Sequence, residues 1–140
     1  MQSVFSRIIA GELPARFVWR DRRCVAFLTT APLRPGHVLV VPREEVDHWI
    51  DASPELLAHL MHVAQKIAKS IDDAWHPTKV GLIIAGLEVR HLHVHLTPIW
   101  ALSDLDFARQ DKGAKPEDLD DAAERLRAAL REQGHAEVDA

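Results

Sequence analysis

The chain has 140 residues, 47% of them hydrophobic and 27% charged, with a formal net charge of -4 when histidine is neutral. This length suits one domain with its own core, and the negative balance argues against a general nucleic-acid partner. Cys24 is the single cysteine, which excludes an internal disulfide and agrees with a reducing compartment. No run approaches the length of a membrane span and the first residues lack a signal-peptide pattern, so a cytoplasmic protein without a membrane partner is expected.

The first part of the chain predicts a short helix, a hairpin and a central strand. Ser3 caps a helix that runs to Ala10, and Gly11 suits the position after its end. The following run His37–Pro42 is apolar on both sides, which is typical of a strand in the middle of a sheet. Between them lie two predicted strands and a proline-rich loop: Phe17–Arg20, Cys24–Leu28 and Thr29–Gly36.

The second part predicts two further helices and two more strands. Ser53 and Pro54 form a helix start, and apolar residues then repeat at helical spacing until just before Pro77. An irregular surface segment and a final amphipathic helix follow the last strand, and the residues after Gly134 are expected to fray. These predicted elements are a strand over 80–85, a link over 86–90, the strand 91–98, the irregular segment 101–115 and a helix over about 116–133.

The strand over 91–98 carries the clearest chemical signal. Because side chains on a strand alternate between faces, His91, His93 and His95 are predicted to share one face. Neighbouring imidazoles then lie about 6.5 to 7 Å apart along the strand, close enough for two to flank one phosphate-sized group. Three interpretations are open: a half-buried strand with histidine on its solvent side, a zinc site, or an imidazole nucleophile acting on phosphorus.

Taken together, the elements predict an α+β fold. It has about five mostly antiparallel strands, one long helix packed on the sheet, a short N-terminal helix and an extra C-terminal helix. The domain is expected to span 1–140, with a core over about 4–100 and a C-terminal extension over 101–140. The apolar faces of the first two helices exceed what a small sheet covers, which favours a homodimer.

Three blocks of the sequence resemble the histidine triad superfamily in the right order. The strand His91–Thr97 resembles its signature, in which histidines alternate with apolar residues. Phe5–Ala15 is similar to the N-terminal segment of the family, and Pro35–Pro42 to its second recurring block. The resemblance covers roughly residues 4 to 98.

The resemblance implies a nucleotide hydrolase or phosphoramidase that cleaves at the α-phosphate of a purine nucleoside monophosphate derivative and needs no cofactor. His93 is implied as the nucleophile that forms a covalent nucleotidyl intermediate, and a pKa near 6.5 leaves most of such rings neutral at pH 7. His95 and His37 are implied as donors to the phosphate or leaving group, and His91 as a supporting residue. The alternatives are a nucleotide-binding regulatory protein with weak catalysis, or a metal site made by the three strand histidines.

The resemblance also implies a nucleotide pocket. Its base-binding wall corresponds to Phe5, Ile8, Phe27 and Leu39, with Thr29 and Thr30 near the ribose. For the four apolar residues, plain core packing is the alternative.

The sequence departs from the family at several of these positions. Close adenylate-hydrolysing members have an aspartate where Thr29 stands and an asparagine before the triad, and this sequence contains no asparagine. The loop ahead of the triad carries Leu87 and Glu88 where polar phosphate-side residues are usual. We hypothesise that Glu88 lies at the edge of the site and tunes a histidine or the leaving-group side; the alternative is a solvent-facing acid.

Metal binding is not expected. Several bacterial relatives hold zinc through an N-terminal cysteine pair with histidines, and Ser3 and Ser6 occupy the cysteine positions here. His59 and His62 lie three residues apart on the long predicted helix, and we interpret them as ordinary surface or partly buried residues.

Overall fold

The computed structural model of the protein describes residues 2–140, and it confirms the predicted α+β fold. One five-stranded sheet has the order β1-β2-β3-β5-β4, and every neighbouring pair is antiparallel. The strands are β1 Phe17–Arg20, β2 Cys24–Leu28, β3 Val38–Pro42, β4 Lys79–Ile83 and β5 Val94–Ile99. The helices are α1 Val4–Ile9, α2 Pro54–Trp75 and α3 Pro116–Glu132.

The helix boundaries follow from local chemistry, as predicted. The Oγ atom of Ser3 accepts from the Ser6 amide at 3.0 Å, and that of Ser53 accepts from the Leu56 amide at 3.1 Å. The long helix α2 ends at His76, which adopts a left-handed conformation with φ 49° directly before Pro77. None of the helices within residues 2–140 combines the length and apolar character needed to cross a bilayer.

The sheet is covered on both faces. The helices α2 and α3 pack on one face over the main core, which includes the fully buried Leu60, Ile67 and Leu126. On the other face, Phe5 of α1 lies against a smaller buried cluster that contains Phe27 and Leu39. Burying one such side chain stabilises the fold by about 1.5 to 3 kcal/mol. The smaller cluster lies on the face where the histidines project.

The turn between β1 and β2 is fastened to α2 by Asp21. One carboxylate oxygen accepts from the amides of Arg23 and Cys24, each at 2.8 Å. The other accepts from the indole of Trp19 at 2.9 Å and from the ring of His59 at 2.8 Å. His59 is therefore part of the packing of this turn.

The structure corrects the predicted extents of two strands and the state of the C-terminal residues. The strand predicted over 80–85 is observed over Lys79–Ile83. The strand β5 begins at Val94 and not at His91, because the His91 carbonyl accepts from a side chain and leaves the strand pattern. The C-terminal residues are not frayed: Ala136–Asp139 form a 3-10 turn that packs on β1 and buries Val138 to 9% exposure. Arg131 of α3 holds this turn through three hydrogen bonds from its guanidinium to the carboxylate of Asp139.

The predicted irregular segment forms an ordered strap, which we define as residues 100–111. Two 3-10 turns, Leu102–Leu105 and Phe107–Arg109, make up most of it. The carboxylate of the buried Asp104 accepts from two strap amides at 2.7 and 3.1 Å. At its end the strap is tied to the loop 29–36 by Gln110, whose amide donates to the Ala31 carbonyl at 2.9 Å.

Candidate active site

Three imidazoles, those of His37, His93 and His95, are in contact where β3 and β5 pair in the middle of the sheet, and the carbonyl of His91 adjoins them. His37 immediately precedes β3, and His95 lies in β5 opposite Leu39. The rings of His93 and His95 have centroids 4.8 Å apart, and those of His37 and His95 5.1 Å. The structure therefore brings together the three strand histidines and His37.

The ring of His93 is held in one tautomer. Its Nδ1 atom lies 2.7 Å from the His91 carbonyl oxygen, which only accepts, so Nδ1 carries the proton. The neutral ring then keeps a lone pair on Nε2. Burial lowers the pKa of His93, which is 6% exposed, so the ring is neutral at pH 7. His93 has the form that a nitrogen nucleophile requires.

His37 and His95 are linked by a hydrogen bond whose direction the backbone sets. The Leu33 amide donates to Nδ1 of His37 at 2.9 Å, so the neutral His37 ring carries its proton on Nε2. That proton is donated to Nδ1 of His95 at 2.9 Å, and His95 therefore presents an N–H at Nε2. Burial lowers the pKa of His37 to about 3 and that of His95 to about 4, so both rings are neutral at pH 7.

This arrangement corrects one expectation. His37 was implied as a direct donor to the phosphate, but it is only 1% exposed and both its ring nitrogens are occupied. It acts on the site through His95.

His91 is sealed on both sides. Its Nε2 atom donates to the Pro42 carbonyl at 2.7 Å, so its Nδ1 accepts from the Ser3 hydroxyl at 2.7 Å. Behind it, Glu45 accepts from the Ser3 amide at 2.6 Å and the Ser6 hydroxyl at 2.8 Å. The ring is fully buried, so its contribution to the site is the carbonyl that orients His93. With both nitrogens engaged, His91 cannot join the other two histidines in a three-histidine metal site.

Next to the histidines lies a mostly apolar cavity of about 560 Å³, a size suited to a nucleoside. All six residues predicted for the base and ribose contribute to its wall: Phe5, Ile8, Phe27, Leu39, Thr29 and Thr30. Phe5, Phe27 and Leu39 are buried, so they belong to the core as well as to the cavity. The Phe5 and His93 rings pack edge to face with their centroids 4.9 Å apart, so the cavity adjoins the histidines.

Comparison with known proteins decides the family. The HIT domain family model matches residues 10–99. The chain belongs to the HIT family. A Bacillus subtilis relative named Protein hit is 32% identical over 124 residues, covering 83% of this chain and 86% of the relative.

Two solved HIT structures resemble this one. A zinc-bound histidine triad family protein from Mycobacterium smegmatis has a TM-score of 0.80 at 27% identity, covering 95% of this chain and 96% of its own. A HIT family hydrolase from Legionella pneumophila has a TM-score of 0.61 at 30% identity, covering 68% of this chain and 90% of its own. This HIT protein therefore shares its fold with a hydrolase.

The residues at the N-terminal side of this HIT protein do not fit a zinc ion. Zinc in proteins takes thiolate, imidazole or carboxylate ligands, whereas Ser3 and Ser6 offer only hydroxyl groups. The Nδ1 atom of His91 already accepts from Ser3, and Glu45 accepts from Ser3 and Ser6. These hydrogen bonds join α1 to the histidine segment.

Glu88 is not brought to the histidines. It is exposed in the loop before the triad, it does not line the cavity, and within residues 2–140 it makes no hydrogen bond or ion pair. Its role as a tuning residue stays a prediction.

The sequence analysis missed three side chains beside the histidines or the cavity, namely Phe107, Arg16 and Asp120. Phe107 of the strap packs edge-on against the His95 ring, with centroids 4.9 Å apart. Arg16 and Asp120 border the cavity and pair with each other at 2.7 Å. Asp120 lies among other acidic residues at the start of α3, and no local pattern distinguishes it from them.

Proposed function

We propose that this HIT protein is a nucleotidyl hydrolase that cleaves at the α-phosphate of a purine nucleoside monophosphate derivative, such as a phosphoramidate or a dinucleoside polyphosphate. The reaction runs through a covalent intermediate on His93. The observation that carries the proposal is the 2.7 Å bond from Nδ1 of His93 to the His91 carbonyl, beside a nucleoside-sized cavity. That bond leaves a neutral ring with its lone pair on Nε2.

The chemistry divides into two displacements at phosphorus. In the first, Nε2 of His93 bonds to phosphorus while the bond to the leaving group breaks; the leaving group departs with that electron pair and takes a proton from solvent. In the second, a water oxygen bonds to phosphorus, the phosphorus–nitrogen electron pair returns to Nε2, and the water proton goes to solvent. One water is consumed overall, and a difficult displacement becomes two easier ones.

The surrounding hydrogen bonds favour the charge that develops. When phosphorus bonds to Nε2, the ring becomes cationic and its Nδ1–H becomes a stronger donor to the His91 carbonyl, at 2.7 Å. The N–H of His95 is available to the phosphoryl oxygens or the leaving group. Both groups are fixed before substrate binds, so little reorganisation accompanies the reaction.

The test is to trap the intermediate. We expect adenosine or guanosine 5′-phosphoramidates to add one nucleotidyl group to the protein, measured by intact mass after an alkaline quench that preserves the phosphorus–nitrogen bond. His93→Ala should form no adduct and should still bind the nucleotide product. His48→Asn is the matched control, because His48 is exposed, does not line the cavity, and its ring bonds within residues 2–140 only to the Ile50 amide. Turnover by His93→Ala at the normal rate would refute the mechanism.

A binding protein with weak catalysis is the second candidate, and one observation favours it. The Thr29 hydroxyl, at the position implied for ribose, accepts from the Ala31 amide at 3.2 Å. Because it is uncharged, it forms a weaker hydrogen bond to a ribose hydroxyl than a carboxylate would. Tight nucleotide binding without turnover across phosphoramidates, anhydrides and sulfates would support this candidate over the hydrolase.

We also propose a homodimer formed through β4. The strand β1 at the other edge of the sheet is covered by α3 and the C-terminal turn, whereas the outer edge of β4 has no partner within residues 2–140. Beside that edge, Leu82 and Met61 are 41% and 48% exposed. A second copy of the chain would cover them. We expect light scattering to report a dimer and Leu82→Lys to give a folded monomer; a monomeric unmodified protein would contradict the proposal.

A further inference from the structure

The nucleotide cavity contains one charged pair, and it lies at the end remote from the histidines. Among the described residues of its wall, Arg16 and Asp120 are the charged ones, and the two threonines near His37 supply the other polar side chains. Nε of Arg16 donates to Oδ1 of Asp120 at 2.7 Å. Through this pair, the described part of the cavity wall can recognise a charged or strongly polar edge of a ligand.

The sheet register gives the position of this pair. One cross-strand row runs from His95 in β5 through Leu39 and Phe27 to Phe17 in β1. Arg16 adjoins Phe17, and its carbonyl accepts from the Leu28 amide at 3.1 Å. With strands about 4.8 Å apart, three spacings separate the histidine strand from β1 by roughly 14 Å.

A nucleoside monophosphate, together with its approach to the nucleophile, spans a comparable length. If phosphorus meets His93, the purine ring lies over Phe27 and Leu39, and its outer edge reaches toward β1. The edge that meets Arg16 and Asp120 is then the Watson–Crick edge of the base.

From this geometry we infer that Asp120 reads the purine base and makes the site prefer guanine to adenine; the inference rests on the proposed nucleotide site. Oδ1 of Asp120 is engaged by Arg16, and Oδ2 has no partner in the described part of the chain. The guanidinium of Arg16 also donates to the Pro116 carbonyl at 3.5 Å, and this bond fixes the pair beside the start of α3.

The donor pattern of the base decides the preference. Guanine presents two adjacent donors on this edge, N1–H and the N2 amino group, and a carboxylate accepts from both. Adenine presents one donor, the N6 amino group, beside the N1 acceptor, whose lone pair repels a carboxylate. An amide at position 120 offers one acceptor and one donor, which matches adenine instead.

The experiment compares GMP and AMP binding by calorimetry, which needs no turnover. We expect the unmodified protein to bind GMP about tenfold more tightly than AMP, since guanine gains a charged hydrogen bond that adenine lacks. Asp120→Asn should remove or invert this ratio, and Asp120→Ala should bring it near one. Asp120 is two-thirds exposed, so these variants should fold. Glu117→Gln, on the same helix and outside the cavity, is the matched control and should keep the ratio.

The outcomes separate the inference from the proposed hydrolase. Equal binding of GMP and AMP, tighter binding of AMP, or a ratio unchanged by Asp120→Asn would overturn the inference and leave the hydrolase standing. If the GMP-to-AMP binding ratio changes in the Asp120 variants as expected but no substrate is turned over, the inference is supported and the hydrolase is not. If neither nucleotide binds, both fall.

Discussion

The two ends of the histidine group differ in how much of each ring is left free. At the His91 end, both ring nitrogens are bonded to the protein, and Ser3 and Glu45 close the group from behind. At the His95 end, Nδ1 accepts from His37 while Nε2 remains available beside Phe107. The same residue type thus has both ring nitrogens bonded within the protein at one end and one ring nitrogen left for a ligand at the other. What distinguishes the two roles is the partner of the second ring nitrogen.

The largest effect should follow from His95→Ala, at the free end. Loss of the Nε2–H donor should lower turnover of a nucleoside 5′-phosphoramidate about 100- to 1,000-fold, because such donors act on charge that develops in the transition state. Steady-state kinetics measures the change, and His95→Gln should recover part of the activity through its amide N–H. Activity of His95→Ala within tenfold of normal would mean that the free nitrogen is not used.

An intermediate effect concerns acid stability and His37, which lies behind the free end. Burial lowers the pKa of His37 to about 3, so the folded state binds fewer protons than the unfolded state below pH 6.5. The free energy of unfolding should therefore fall as the pH drops from 7 to 4.5, with His37 alone contributing about 2 kcal/mol to the fall. Urea titrations of His37→Gln should show a correspondingly weaker pH dependence. If the free energy of unfolding of His37→Gln kept the same pH dependence, the proton uptake would have to occur at a residue other than His37.

The smallest effect is expected from Ser3→Ala, at the sealed end. This change removes the cap of α1 and the hydroxyl that donates to His91. We expect a loss of about 1 kcal/mol in the free energy of unfolding and a change in turnover below about threefold, since the His91 carbonyl remains in place. Ser3→Thr keeps the hydroxyl and is the control. A loss of turnover larger than that of His95→Ala would reverse the comparison between the two ends.

Elements with a local signal could be predicted from the sequence. The Ser53-Pro54 start of α2, the hairpin strands β1 and β2, and the Pro116 start of α3 occur where the residues indicate. The triad and the six cavity residues were also identified, the latter through resemblance to the family. These features depend on residues that are neighbours along the chain or on a known motif.

Features that depend on distant contacts could not be predicted. The bond that turns His37 toward His95 joins residues 58 positions apart, and the Arg16–Asp120 pair joins residues 104 apart. The burial of Val138 likewise depends on β1, far along the chain. No short stretch of sequence contains both partners, so neither the hydrogen bond of His37 to His95 nor the pairing of Asp120 with Arg16 has a local pattern.

The strap and α3 have a consequence for how relatives diverge. The HIT family model matches residues 10–99, yet Phe107 and Asp120 come from the part of the chain beyond that match. Two proteins that share the histidines and the sheet, but differ after β5, would enclose their ligands with different walls. We therefore propose that substrate choice in such chains changes through the residues after β5, while the histidine group stays the same.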